Sequence, residues 1–162
     1  MMNLTKLFEL QRRLDERIIE EKGLHNQNLL DIRKLALLVE LGELANEWRG
    51  FKFWSRDLQP RREKMLEEYV DCLHFFLSIG LELGVDPKMA EWRHMVRKKP
   101  VVTCQFQKIF YWVSSMDGVL DWLQAFWLFM GLGEMLGFSW DEIEEAYLRK
   151  NQINLERQEQ GY

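Results

Sequence analysis

Apolar residues along this chain recur at intervals of three and four rather than alternating, which is the period of a helix and not of a strand. Leu7, Leu10, Leu14 and Ile18 share one side of a first predicted helix near residues 4–21, and Gly23 with the polar run at 25–28 breaks it. A second helix, about 32–48, carries Leu38, Leu41, Ala45 and Trp48 at helical spacing, with Asp31 as its expected cap, and ends before Gly50. A basic aromatic loop follows, Phe51-Lys52-Phe53-Trp54-Ser55-Arg56. Pro60 suits the first turn of a third helix reaching about residue 84, with Met65, Tyr69, Cys72, Phe76, Ile79 and Leu83 as its stripe.

Residues 89–115 read less sharply. Arg97-Lys98-Lys99-Pro100 is a breaker, and the run 109–113 suits a strand as well as a helix, with helix favoured. Residues 117–136 form a strongly apolar helix, and Ser139-Trp140-Asp141-Glu142 is a capping box opening a last helix that continues past Arg157. With three prolines and no internal repeat, the pattern predicts an all-α bundle of about five to seven helices, one domain spanning 1–162.

Composition narrows the classes. Apolar residues make up 47% of the chain and aromatics 13%, more large side chains than a small monomer needs inside, so some are expected to face a partner. A net charge of −4 gives no footprint for a polyanion, so nucleic-acid binding is not expected. The uncharged stretch 122–133 is shorter than the ~20 residues of a membrane span. Two cysteines without a disulfide-like pattern and a polar start place the chain in the cytoplasm.

The acidic residues carry the chemistry. Glu40 and Glu43 lie inside an apolar run that should be largely buried, and Asp71, with Glu68 one turn before it, lies in another. Burying ionised carboxylates without partners costs several kcal/mol, and like charges at i,i+3 add ~0.2–0.5 kcal/mol per pair. Two antiparallel helices bringing both pairs together would make an oxygen-only nest suited to Mg²⁺ shared with substrate phosphates. Either pair alone is more often a solvated helix face. On the last helix Tyr147, Lys150, Asn154 and Arg157 follow spacings of three, four and three, a face that could hold phosphates or simply be an amphipathic tail. His25 and His94 lack partners at ligand spacing, neither cysteine has a nearby base, and no glycine-rich phosphate loop occurs. His74 reads as a core histidine, or as a group orienting a metal ligand.

These residues resemble the dimeric dUTPases of the all-α NTP pyrophosphatase superfamily, which includes the MazG-type enzymes. The likeness covers Glu40-Leu41-Gly42-Glu43 with Asn46-Glu47-Trp48, Phe51-Lys52-x-Trp54, Glu68-x-x-Asp71 with His74-Phe75, and Lys150-Asn151-x-x-Asn154-x-x-Arg157-Gln158-x-x-Gly161-Tyr162. It also takes in residues 11–15 and leaves 86–115 unsupported. It implies that Glu40, Glu43, Glu68 and Asp71 bind Mg²⁺, with Glu43 orienting or deprotonating the water that attacks the β-phosphorus. It further implies that Lys150, Asn154 and Arg157 contact phosphates or sugar, assisted by Tyr147 and Asn151. Gln11 and Asp15 would sit at the base, Trp54 would stack on it or close the pocket, and Lys52 would reach a phosphate.

The expected reaction is hydrolysis of dUTP, and in principle dUDP, by a homodimer, which the family precedent and the apolar helix 122–136 together suggest without locating its interface. Many members carry Asn where Asp15 stands, and a carboxylate only accepts hydrogen bonds, so dCTP or a broader MazG-like substrate range competes. A catalytically silent helical interaction protein is the reading from another class.

Overall fold

The computed structural model describes residues 3–92 and 95–161; His94 and Tyr162, both named above, lie outside them. The described residues form seven helices and no strand: α1 Leu4–Lys22, α2 Leu30–Trp48, α3 Arg62–Leu83, the short α4 Pro87–Ala90, α5 Val102–Ser115, α6 Val119–Met135 and α7 Trp140–Glu159. The all-α expectation is met, including helix rather than strand at 109–113.

Local chemistry sets the helix ends. Asn3 accepts a hydrogen bond from the Lys6 N–H at the start of α1, and Gly23, at φ +65°, ends it in the left-handed region that glycine adopts without a Cβ penalty. The predicted capping box at Ser139 and Glu142 is formed in both directions. Two expected starts differ. The α2 cap position is Leu29, with Asn28 Oδ1 accepting from Leu30 N–H, and Asp31 stands two residues later, within the first turn, where its charge still faces the positive end of the helix. Pro60 precedes α3, which begins two residues later at Arg62.

Helices α2 and α3 pack along their length in antiparallel sense. Arg33 reaches Glu82 at 2.6 Å near one end, and the Arg61 N–H donates to the Glu47 carbonyl at 3.0 Å at the other. Helix α6 fills the centre: every residue from Trp122 to Gly133 except Gln124 is buried. Trp122 donates its indole N–H to the Phe76 carbonyl at 2.8 Å and stacks on Phe126 at 4.6 Å. Gly133 allows Tyr69 to lie against the α6 backbone, where the phenol donates to the Phe129 carbonyl at 2.9 Å. The apolar residues of α6 thus serve the chain's own core.

Residues 97–101 are tied down by Gln105, fully buried, which donates to the Arg97 and Leu128 carbonyls and accepts from Lys99 N–H at 2.7 Å. The expectation of a largely buried α2 is corrected: Leu37, Leu41 and Leu44 face the core, while Ile32, Leu35 and Val39 face solvent. Helical periodicity reports which residues share a side, and whether that side is covered depends on what the rest of the chain brings to it.

Candidate functional site

The antiparallel α2/α3 pair brings the two acidic motifs face to face. Glu40, Glu68 and Asp71 each present a carboxylate oxygen within 4.8 Å of the others, and all three side chains are half-buried. Burial, and then the charge of Asp71 and Glu43, pushes Glu40 up to about 7; Glu68 and Asp71 are also raised, in each case chiefly by burial. Glu43, one turn along α2, is exposed, and its proximity helps to raise Glu40. Glu47, to which the sequence reading gave no role, adds its charge on Glu68. Such a hard, oxygen-only donor set with mutually destabilised charges fits a divalent cation.

Helix α7 supplies positive charge from across the seam. Lys150 Nζ lies 2.8 Å from Asp71 Oδ2, and both groups are partly buried. Lys150, Asn154 and Arg157 line a cavity of about 300 Å³ together with Glu40 and Asp71. Residues of α1 and the C-terminal half of α3 line its other end: Gln11, Asp15, His74 and Ser78, with Leu14, Ile18 and Phe75 as apolar walls.

At that end the hydrogen bonds form a closed relay. Asp15 accepts from Gln11 Nε2 at 2.8 Å and from the Ser78 hydroxyl at 2.6 Å, and Arg33 stands 3.8 Å away. Because Asp15 accepts when ionised, the Gln11 amide must turn its nitrogen toward it. Gln11 Oε1 then faces Tyr147 Oη at 2.9 Å and His74 Nδ1 at 2.7 Å, so both of these donate. His74 is therefore the Nδ1–H tautomer, and its Nε2 is an acceptor with no partner among the described residues. Burial, reinforced by the Lys150 charge, lowers the His74 pKa from 6.5 to about 3, so the ring is neutral. Burial raises Asp15. Tyr147 stacks on His74 with ring centres 4.3 Å apart, beneath the cavity rather than in it, and burial raises its phenol. Asn151 is buried next to these residues in sequence, with its side-chain nitrogen unpartnered.

Gln11, Asp15, Glu40, Asp71, Lys150, Asn154 and Arg157 thus come together in one cavity, with Glu68 beside Glu40. Lys52 and Trp54 do not. They belong to the loop beyond the C-terminal end of α2, where Trp54 packs edge-on against Phe51 and Phe53 and Lys52 sits 5.9 Å from the Phe51 ring. Ser78 escaped sequence reasoning. Its signal was position, two turns after Asp71 on the same helix face.

The sequence model of a family described as dUTPase matches residues 3–162. The chain belongs to the dUTPase family. Family membership across nearly the whole chain makes it a dUTP diphosphatase, acting on a nucleotide, and sets aside the silent interaction protein. No curated protein matches it. In this dUTPase no helix among the described residues is long and apolar enough to cross a membrane. The acidic group Glu40, Glu68 and Asp71 could hold a divalent metal of the kind such an enzyme uses.

Proposed function

We propose that the whole chain is one catalytic domain whose α2/α3 seam binds Mg²⁺ and whose cavity binds dUTP, uracil toward α1 and triphosphate toward α7. The observation that carries this reading is the juxtaposition of three mutually close carboxylates with a cationic helix face at one end of a cavity that has a polar relay at the other. Glu40, Glu43, Glu68 and Asp71 would hold the ion. When bound, it would neutralise triphosphate charge and make a coordinated water more acidic.

Glu43, accessible and one turn along α2 from Glu40, orients the attacking water and accepts its proton. Attack at the β-phosphorus forms a new P–O bond as the bond to the α-phosphate oxygen breaks, giving dUMP and pyrophosphate. Lys150 and Arg157 stabilise charge building on the phosphoryl oxygens, and Asn154 positions phosphate or sugar. Lys150, which holds Asp71 in the absence of substrate, is placed to exchange that partner for a phosphate. Tyr147 and Asn151 act from below by fixing Gln11 and the α7 face.

Uracil is favoured over cytosine by His74. Its unpartnered Nε2 accepts a hydrogen bond, which the N3–H of uracil supplies; N3 of cytosine is itself an acceptor. The dCTP reading rests on Asp15 accepting from the cytosine amino group, yet both Asp15 oxygens already accept from Gln11 and Ser78. The enzyme acts as a homodimer in the cytoplasm, a compartment that suits its two free cysteines. Pyrophosphate release from dUTP, dCTP and dTTP, with and without Mg²⁺, tests the reading. Mg²⁺-dependent release from dUTP alone is expected, and equal rates on dCTP would refute the base assignment.

A further inference from the structure

Arg33 stands between two carboxylates of different helices. Its guanidinium donates to Glu82 of α3 at 2.6 Å and lies 3.8 Å from Asp15 Oδ2 of α1, with only 16% of the side chain exposed. The second distance is too long for a hydrogen bond, so Arg33 acts on Asp15 as a charge and leaves its oxygens to Gln11 and Ser78. Burial raises Asp15; the hydrogen bonds from Ser78 and Gln11 and the charge of Arg33 oppose that rise, and Glu82 adds to it. Arg33 thus acts twice, drawing Asp15 toward its ionised form and neutralising the neighbour that pushes it the other way.

Ionisation of Asp15 is what orders the relay. A carboxylate only accepts, which turns the Gln11 nitrogen toward it and the Gln11 oxygen toward His74 Nδ1, and leaves His74 Nε2 as an acceptor. A protonated Asp15 can donate from Oδ1 instead. The Gln11 amide is then free to turn over, its nitrogen donating to His74 Nδ1 and to Tyr147 Oη, whose hydroxyl has a second acceptor in the Leu7 carbonyl at 3.4 Å. His74, still neutral, exchanges its one proton through water from Nδ1 to Nε2. Its cavity face becomes a donor, which matches N3 of cytosine and repels N3–H of uracil.

We propose that Arg33 is a positioning residue for base selection: by holding Asp15 as an acceptor it fixes the His74 tautomer that admits uracil and refuses cytosine. This rests on the reading of His74 Nε2 as the partner of uracil N3–H. The other charges around Asp15 do not separate the two bases. Arg12, Glu16 and His25, which border it on its outer side with Arg33 and Glu82, are exposed and screened by water. Glu40, Asp71, Lys150 and Arg157 face it across the cavity, where phosphate and metal act on them alike for either pyrimidine. Tyr147, its phenol raised by burial, is neutral.

Selectivity and tautomer are measured together on Arg33→Met, Arg33→Lys and Glu82→Gln with saturating Mg²⁺. The ratio of kcat/KM for dUTP to that for dCTP cancels what pH does to the metal-binding carboxylates, which both substrates share. In Arg33→Met, Asp15 and Glu82 are left without their common cation, and Asp15, the less exposed of the two, takes up a proton more readily. The ratio is expected to fall at least ~10-fold below wild type at pH 6, through KM for dUTP, and to recover toward pH 8. Arg33→Gln, which removes the charge but can still bond Glu82, is expected to do the same should Arg33→Met fail to fold. Arg33→Lys keeps the charge and Glu82→Gln removes the competitor, so both should hold the wild-type ratio throughout.

Nitrogen-15 spectra of the imidazoles, in a chain with three histidines, should show His74 protonated on Nδ1 in wild type. In the uncharged Arg33 variants a growing fraction should carry the proton on Nε2 as pH falls. A folded uncharged variant with the wild-type tautomer and ratio at pH 6 would overturn the inference, as would a loss of selectivity that is equal at both pH values and not rescued by lysine. A tautomer that changes while the ratio stays fixed would instead overturn the assignment of His74 to the base.

Discussion

Helices α2 and α6 both read as apolar over most of their surface, yet the protein uses them in opposite ways. Helix α6 carries no charge between Trp122 and Gly133 and is buried on nearly every side. Helix α2 is divided lengthwise into a core strip of Leu37, Leu41 and Leu44, an acidic strip of Glu40, Glu43 and Glu47, and an exposed strip of Ile32, Leu35 and Val39. Carboxylates spaced three and four apart prevent an apolar helix from being enclosed on all sides, because each needs a counter-charge or water. An uninterrupted apolar helix has no such need and becomes the centre. The difference separates what folds this chain from what it does.

The sharpest way to break the comparison is to exchange the consequences of mutation between the helices. Glu43→Gln on α2 is expected to lower kcat by at least ~100-fold, the range of a lost general base, with the circular dichroism melt unchanged. Trp122→Ala on α6 should do the reverse, costing about 3–5 kcal/mol in chemical denaturation through a core cavity and an unpaired Phe76 carbonyl. If the first variant melted early, or the second kept full stability, the division of labour would be wrong.

A smaller effect sharpens the acidic strip. A carboxyl whose folded pKa is raised stabilises the protein at low pH and loses that contribution as pH rises through the folded value, for Glu40 from 4.5 to about 7. Glu68, Asp71 and Asp15 share the sign. His74, lowered from 6.5 to about 3, acts oppositely, but its contribution is complete above its unfolded value. The metal-free Tm should therefore fall as pH rises from 6.5 to about 8, and Mg²⁺ should restore it more at the upper end than the lower. A metal-free Tm rising over that interval, or equal Mg²⁺ shifts at both ends, would contradict the electrostatic account. The smallest expected change is in Val39→Ala on the exposed strip, within about 0.5 kcal/mol of wild type in a dilute monomeric sample by urea denaturation.

Much of this was readable from spacing alone, because helical period and capping chemistry are local. The Ser139 capping box, the Gly23 stop, the acidic pairs and the shared face of Lys150, Asn154 and Arg157 all belong to that kind. What the sequence could not convey is which surfaces meet. Nothing in residues 51–54 says that their loop lies a helix length from Asp15, and nothing in Ile32, Leu35 and Val39 says that they stay exposed among the described residues. His74 looked like a core residue because it is buried; that its Nε2 is left unpaired follows only from the orientation of Gln11, itself fixed by Asp15. Asp31 and Pro60 were misplaced by one turn or less, since several residues near each start could cap a helix.

The most direct test is crystallographic, with Mn²⁺ as an anomalous substitute for Mg²⁺ near neutral pH. The account predicts an anomalous peak between α2 and α3 within bonding distance of Glu40, Glu68 and Asp71. Carboxylates turned outward to solvent, with no peak between the two helices at saturating metal, would contradict it.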